Sequence, residues 1–191
     1  MAEPLEDAVE SEDKKIALII AILALFLALA EAGAKNAEHR STEQNIESSD
    51  LFNFYQAKKV RSTIAETAAQ ILEVERAAAS DPKAGEAFEP QIAEWKAAVA
   101  KFEKDPKKPE DSLDAIQERA VAASEGRELS NRRLEHFEYA SGALQIAIVL
   151  ASAAIITGVS ILAWVAAGLG VIGAVLMAFG YFAPTVLSFL G

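Results

Sequence analysis

The strongest constraint on this chain is its C-terminal end, which carries no charged side chain from Tyr139 to Gly191. All acidic and basic side chains lie between Glu3 and Glu138. In water, an apolar run of 53 residues would expose a hydrophobic patch far larger than soluble proteins tolerate. About 20 residues of α-helix cross a hydrocarbon core that is about 30 Å thick. The run is therefore predicted to form a transmembrane hairpin over residues 143–191, with two spans.

A second apolar run, IALIIAILALFLALA, occupies residues 16–30 and predicts a first transmembrane helix over residues 14–34. A secretory signal peptide is the alternative, because ALAEAGA contains small-x-small cleavage points. Six acidic residues precede the run, however, whereas an export signal begins with basic residues. A retained span is therefore favoured, and residues 1–13 are predicted to be a mobile acidic tail.

The section between the apolar runs, residues 35–142, is rich in Ala, Glu, Lys and Gln. Its Pro and Gly residues are almost confined to residues 82–109, so it reads as helices with one broken region. No strand pattern is present. The sequence therefore predicts an all-α integral membrane protein, in which an extended antiparallel, coiled-coil-like helical hairpin joins the first and second of three transmembrane helices. The predicted helices of this section span residues 35–79, 89–104 and 110–142.

An apolar pattern with spacings of three and four residues runs from Ala57 to Ala78 and predicts a heptad seam of three repeats. Three repeats with many small residues are marginal for a lone hairpin in water, so self-association is expected. The predicted packing residues are Ala57, Val60, Ile64, Thr67, Ile71, Val74 and Ala78, followed by Ile92, Trp95, Val99 and Phe102 in the next helix.

The stretch SSDLFNFYQAKKVR, residues 48–61, places Phe52, Phe54 and Tyr55 beside three basic side chains. Equal distances from the membrane place these rings opposite residues 121–124 of the returning helix. Bulky rings are then expected to pack against small residues and to set the register of the hairpin. Three neighbouring rings cannot all face one helix, so at least one is expected to meet another helix or subunit. The small residues expected opposite are Ala120, Ala122, Ala123 and Gly126.

Small residues recur every four positions along the last predicted span, at Ala166, Gly170, Ala174 and Ala178. Such a face either lines a pore or lets helices approach closely in lipid. No charged residue interrupts the run, which favours helix packing over a polar pore.

The sequence contains few residues that are typical of catalytic or metal-binding sites. The chain has no cysteine, which excludes disulfides and thiolate zinc sites. His39 and His136 are expected at similar heights on the two arms, close to Glu135, so these three residues are candidate metal ligands or a pH sensor. Solvated or interfacial histidines are the favoured alternative, and neither a metal nor a cofactor is expected. No Ser-His-Asp arrangement, Gly-rich phosphate loop or HExxH motif is present, and the chain is therefore not expected to be an enzyme.

The net charge of −10 makes a nucleic-acid surface improbable, although Lys58, Lys59 and Arg61 lie beside aromatic residues. These basic side chains are instead expected to contact acidic partners or the Glu-rich returning arm.

Two stretches resemble a known family. SSDLFNFYQAKKVR is similar to an ASD-x-W-x-x-YQAKSIK pattern, and HFEYASGALQIAIVLAS, residues 136–152, resembles the start of paired C-terminal spans in the bacterial membrane-protein family called domain of unknown function 4337. The resemblance implies an architecture and a bacterial membrane but no activity. Relatives often have basic residues between the last two spans, whereas this chain has TGVSILAW there.

The resulting functional expectation is a non-enzymatic, homo-oligomeric scaffold or accessory component of the bacterial inner membrane. Lys14 and Lys15 abut the first span and favour a cytoplasmic leader, which places the helical section on the periplasmic side. The expected partners are the lipid bilayer, copies of the same chain and a further membrane protein. The alternatives are an oligomeric channel or transport component and an accessory subunit of a larger complex.

Overall fold

The fold is helical throughout the part of the chain that the structure describes. The computed structural model describes residues 3–186, with side chains for residues 14–81 and 83–186. No strand occurs in that range, which confirms the predicted all-helical class. The elements are α1 (Glu3–Ala78), α2 (Pro82–Glu86), α3 (Glu89–Glu103), a 3-10 turn (Pro109–Asp111), α4 (Leu113–Thr157) and α5 (Ser160–Phe182).

Three of these helices, α1, α4 and α5, are long and apolar enough to cross a membrane. They contain the three apolar segments that the sequence predicts to be spans. Helix α1 begins at Glu3, so residues 3–13 of the predicted acidic tail are helical, and the mobility of the tail stays a prediction.

The chain divides into two compact units. Unit 1 comprises Met1–Thr42 and Arg127–Gly191, and unit 2 comprises Glu43–Gly126. Helices α1 and α4 contribute residues to both units, whereas α5 belongs to unit 1 and α3 to unit 2.

The core of unit 1 lies where α1, α4 and α5 meet. Small residues dominate its buried positions, and they recur along α4 at spacings of four and three residues. This spacing keeps one stripe of a helix facing its neighbours, and small side chains let the backbones approach closely. The central cluster consists of Leu23, Ala30, Ala140, Leu144 and Ala147, and the stripe on α4 continues through Ala151 and Ala154.

Glycines on α5 receive side chains from the other two helices. A Cβ atom at Gly170 would collide with the Leu23 side chain, and one at Gly173 would lie 2.7 Å from Leu144 Cγ. Gly180 approaches His136 and Phe137, with 3.1 Å between a built Cβ and Phe137 Cε1. Each glycine therefore makes room for a specific bulky neighbour on α1 or α4.

The predicted small face of α5 is only half correct. Ala166 and Gly170 are buried, whereas Ala174 is half-buried and Ala178 is exposed. Steps of four residues rotate around a helix by about 40° each, because one turn takes about 3.6 residues. A stripe with a strict spacing of four therefore turns away from its neighbours. The face that is buried follows spacings of four and three and consists of Ala166, Gly170, Gly173 and Gly180 together with the half-buried Met177.

The turn between α4 and α5 depends on one glycine. Gly158 has φ = 68°, the left-handed region that other residues rarely adopt, and its N–H donates to the Ala154 carbonyl over 2.9 Å. The Thr157 hydroxyl donates to the Ala153 carbonyl over 2.7 Å. The uncharged TGV sequence therefore closes the turn without any basic residue.

In unit 2, α1 and the first part of α4 run antiparallel. Leu51 packs with Ile116 and Ala120, and the Ser48 hydroxyl donates to the Ala120 carbonyl over 3.2 Å. Helix α4 begins at Leu113 rather than at residue 110, because Pro109 opens a 3-10 turn instead. The Ser112 oxygen then accepts a hydrogen bond from the Ala115 N–H over 3.4 Å and caps the helix.

Helix α3 packs on the last turns of α1. Ile92 is its buried residue, and Trp95, Val99 and Phe102 are half-buried on the same side, at the spacing predicted from the sequence. Ion pairs link the two helices at the edges of this contact. They join Arg76 to Glu89 over 3.3 Å and Lys96 to Glu73 over 2.6 Å.

We expect Gly173→Ala to lower the free energy of unfolding by about 1–3 kcal/mol, because the new methyl group meets Leu144 and, at 3.2 Å, the Ala140 carbonyl oxygen. The matched control is Gly168→Ala on the same helix, where a Cβ atom meets nothing within 4 Å. The control should be neutral or slightly stabilising, since alanine forms helices better than glycine. Denaturant unfolding of the full chain in detergent, followed by circular dichroism, measures both. Equal destabilisation by the two changes would contradict the packing described for α5.

Candidate interaction surfaces

The aromatic cluster of residues 52–55 divides between the inside and the outside of unit 2. Tyr55 is half-buried against Leu51, Ile116 and Ala120. Phe54 remains exposed over 47% of its surface, with the Lys58 ammonium nitrogen 5.9 Å from the centre of its ring. Phe52 is exposed as well. One ring therefore packs against the returning helix, and two rings lie at the surface.

The register of this contact differs from the prediction. Tyr55 meets Ile116 and Ala120, whereas Ala122 is exposed and Gly126 lies against the Gln44 side chain. The prediction counted equal numbers of residues from the membrane along both arms, which placed the rings opposite residues 121–124. Tyr55 instead contacts residues that lie nearer the start of α4. Of the small residues expected opposite the rings, Ala120 is the one in this cluster.

Lys58 is oriented inward, toward the start of α4. Its ammonium group donates to the backbone carbonyl of Asp111, and its side chain is half-buried. This agrees with the expectation that the basic residues of the stretch contact the returning arm. The neighbouring Lys59 and Arg61 are exposed.

The inner seam of unit 2 uses residues that the sequence pattern did not single out. Its buried residues on α1 follow a heptad spacing, with small or polar side chains at most positions. This heptad spacing is present in the sequence, but it is hard to detect there because serines and alanines contribute little to a count of apolar residues. The seam consists of Ser48, Leu51, Ser62, Ala65 and Ala69, with Tyr55, Lys58 and Leu72 half-buried at intermediate positions.

The predicted seam from Ala57 to Ala78 lies outside this core. Every residue of that series is exposed in the single chain, so the series does not form the contact between α1 and α4, and its role in packing stays a prediction. From a rotation of about 100° per residue, the centres of the two stripes lie roughly 150° apart around α1. We call the exposed series Ala57, Val60, Ile64, Thr67, Ile71, Val74 and Ala78 the outer stripe.

The outer stripe carries larger aliphatic side chains than the inner seam. Its four large members are exposed over 57% (Val60), 60% (Ile64), 54% (Ile71) and 69% (Val74) of their surfaces. A shallow groove of about 390 Å³ lies along it, lined by Thr67, Gln70, Ile71, Val74 and Glu75. Scattered exposed aliphatic residues are ordinary, but a heptad-spaced row of them is typical of a helix that packs against another helix.

The carboxylate of Glu73, on the opposite side of α1, pairs with Lys96 of helix α3. The hydrogen bond and the charge of Lys96 lower the pKa of the Glu73 carboxyl group. Glu73 is therefore held as an anion beside α3 at neutral pH, on the side of α1 away from the outer stripe.

The candidate metal ligands are not assembled into a site. His136 is 1% exposed, and its Nε2 atom lies 3.1 Å from the Pro184 carbonyl oxygen, to which it can donate. His39 and Glu135 are both exposed. Among the residues that the structure describes, no group of three or more His, Asp and Glu side chains is arranged to hold a metal ion. His136 therefore anchors the turn that follows α5 to α4, which the sequence did not reveal.

We expect Tyr55→Ala to destabilise the protein by about 2 kcal/mol, because the ring fills the contact between α1 and α4. Phe54→Ala is the matched control from the same cluster and should cost less than about 1 kcal/mol, since this ring is half exposed. Thermal unfolding of the full chain in detergent distinguishes the two. A larger effect at Phe54 would show that the exposed ring, rather than Tyr55, carries the packing energy.

A comparison with protein families gives a match over most of the chain. No curated protein and no solved structure matches the chain. Residues 12–183 match a family described as a domain of unknown function, and this match includes most of α1, all of α2 to α4, and α5. The chain therefore belongs to the family Domain of unknown function (DUF4337).

Proposed function

We propose that this protein is a non-enzymatic, homo-oligomeric component of the bacterial inner membrane that acts as a scaffold or accessory subunit. The observation that carries the proposal is the outer stripe of unit 2. Its valines and isoleucines remain in water in the single chain, although their spacing is that of a helix-packing seam. A second copy of the chain would cover them.

The distribution of side-chain size supports an external role for the stripe. The fully buried residues of the inner seam on α1 are serines, alanines and Leu51, whereas the outer stripe carries four β-branched aliphatic residues. Each large aliphatic side chain that leaves water contributes about 1.5–3 kcal/mol. Association through the outer stripe, whose four large side chains are each more than half exposed, would therefore release hydrophobic free energy.

Large exposed side chains on α1, α4 and α5 support the membrane part of the proposal. Leu25, Val149 and Val171 are examples, one from each helix, and each is more than half exposed. All three lie in uncharged segments, and lipid would cover them. In this arrangement, α1, α4 and α5 each cross the bilayer once, and the antiparallel helical section of unit 2 lies on the periplasmic side.

The alternative of a channel has less support. The small residues at Ala166 and Gly170 that would line it face the interior of unit 1, where Leu23 occupies the space beside Gly170. They are thus engaged by a neighbouring helix of the same chain. The large residues of the outer stripe, in contrast, are each more than half exposed.

Glutamates on the outer stripe should dissociate the oligomer. The double variant Ile64→Glu/Ile71→Glu places two charges where aliphatic side chains meet, and burying unpaired charges costs several kcal/mol. Because both positions are exposed in the single chain, the fold should be retained. Native mass spectrometry of the full chain in mild detergent should give an oligomer for the natural sequence and a monomer for the variant, with unchanged helical circular dichroism.

The control adds the same charge elsewhere on unit 2, as Gln117→Glu/Ala122→Glu on exposed positions of α4. This variant should remain oligomeric. A natural protein that is monomeric both in mild detergent and in nanodiscs would overturn the proposal. Co-purification of a different chain in stoichiometric amount would instead support the alternative of an accessory subunit of a larger complex.

The membrane orientation can be tested because the chain has no cysteine of its own. We expect a Lys101→Cys variant, with its thiol on α3 of unit 2, to react with a membrane-impermeant maleimide in intact spheroplasts. A Glu12→Cys variant in the leader should react only after permeabilisation. The reverse pattern would place unit 2 in the cytoplasm.

A further inference from the structure

The outer stripe contains information about the direction and register of the contact as well as its position. In heptad notation, its first residue, Ala57, takes position a, and Val60 takes position d. The a positions are then Ala57, Ile64, Ile71 and Ala78, and the d positions are Val60, Thr67 and Val74.

The pattern ends at residue 57 in the N-terminal direction. The two preceding core positions, one heptad earlier, are Asp50 at a and Asn53 at d, and both are exposed. Carboxylates of several copies at one a position would repel one another. The contact is therefore confined to the three heptads from Ala57 to Ala78.

The direction of the contact follows from symmetry, given the proposed function. Copies that share one membrane and one topology are related by rotation about the membrane normal, as in most closed homo-oligomers. Such a rotation leaves the component of each helix along the normal unchanged. The outer stripes of neighbouring copies then run in the same direction, which gives a parallel contact.

Thr67 selects the register of a parallel contact. It is the one polar residue among the seven of the outer stripe, at a central d position. In register, Thr67 meets Thr67 of its neighbour, and the two hydroxyl groups can hydrogen-bond to each other. A slip of one heptad would place each hydroxyl against Val60 or Val74 and remove the hydrogen bond between the two copies. A single Asn or Lys at an a position specifies coiled-coil register by the same kind of matching.

The flanking side chains fit the same arrangement. In a parallel pair, each g position lies beside the e position five residues later in the neighbour. Gln56 then lies beside Arg61 of the other copy, and Gln70 lies beside Glu75. A glutamine amide can accept from a guanidinium group and donate to a carboxylate, so both charges receive a partner. All four side chains are exposed in the single chain and therefore accessible to a neighbour.

We propose that the outer stripes of two or more copies of this chain pack parallel and in register from Ala57 to Ala78, with Thr67 facing Thr67 at the centre. This proposal names the partner surface of the homo-oligomer, and it rests on the proposed function. Its main competitor is an antiparallel pair centred near residue 69, in which Arg61 of one copy would meet Glu75 of the other.

Single cysteines in the otherwise cysteine-free full chain distinguish these geometries. In the parallel arrangement, position a faces itself across the contact, so Ile64→Cys and Ile71→Cys should each form disulfide-linked dimers under mild oxidation in nanodiscs. The matched controls are Glu66→Cys and Gln70→Cys on the same helix, both at exposed positions. Their disulfides should form at least about tenfold more slowly, because a disulfide needs Cα atoms within about 7 Å.

Cross-linking of Gln70→Cys with little reaction at Ile64→Cys would overturn the proposal in favour of the antiparallel pair, in which Gln70 lies near the two-fold axis. Slow reaction at both Ile64→Cys and Ile71→Cys, in a protein that native mass spectrometry shows to be oligomeric, would also overturn it while leaving the proposed function intact. If the natural protein is monomeric, both this proposal and the proposed function are overturned. A further variant, Thr67→Val, should keep the oligomer but allow new cross-links between Ile64→Cys in one copy and Ile71→Cys in another.

Discussion

The close approach of helices through small residues is the constraint on which the structure depends. Within lipid, apolar side chains gain little by leaving their solvent, so helices stay together through close packing. In unit 1, Ala30, Ala140 and Ala147 surround Leu23 and Leu144, and the glycines of α5 accept those leucines. In unit 2, small residues also form much of the inner seam, among them Ser62, Ala65 and Ala69. Small seams bring backbones close, and they leave the larger aliphatic residues to other faces.

This distribution gives α1 two unlike faces in unit 2. The inner seam holds α1 against α4 and α3 with small side chains, a few hydrogen bonds and ion pairs at the edges. The outer stripe has the volume and the β-branched shape that a packing seam requires, but its large side chains stay more than half exposed. A helix with apolar stripes on nearly opposite sides is expected to be sandwiched between two partners. The proposed self-association follows from that geometry, since the described residues of the chain cover the inner seam and leave the outer stripe open.

Much of the architecture is predictable from residue types and their spacing. Charge alone locates the C-terminal apolar segments that are long enough to cross a membrane, because an ionised side chain in hydrocarbon is costly and Tyr139 to Gly191 contains none. Breaks before Pro82 and at Pro109 separate helices of unit 2, and α3 follows the predicted bounds within one residue. The heptad spacing of the outer stripe is also evident from the order of the residues alone. The partner of the outer stripe is not evident from the sequence. The spacing indicates that a face of the helix packs, but it does not identify the surface against which that face packs.

The sequence by itself determined the helical class, the three apolar segments and the absence of thiol chemistry, because these follow from composition and local propensity. Tertiary structure decided which of two heptad stripes closes unit 2, since both have the required period and the smaller residues form the contact. It also decided that Tyr55 turns inward while Phe54 turns outward, and that Gly173 rather than Ala174 faces Leu144. Those outcomes depend on the rotation of each helix about its axis, which is set by the shapes of the side chains that meet.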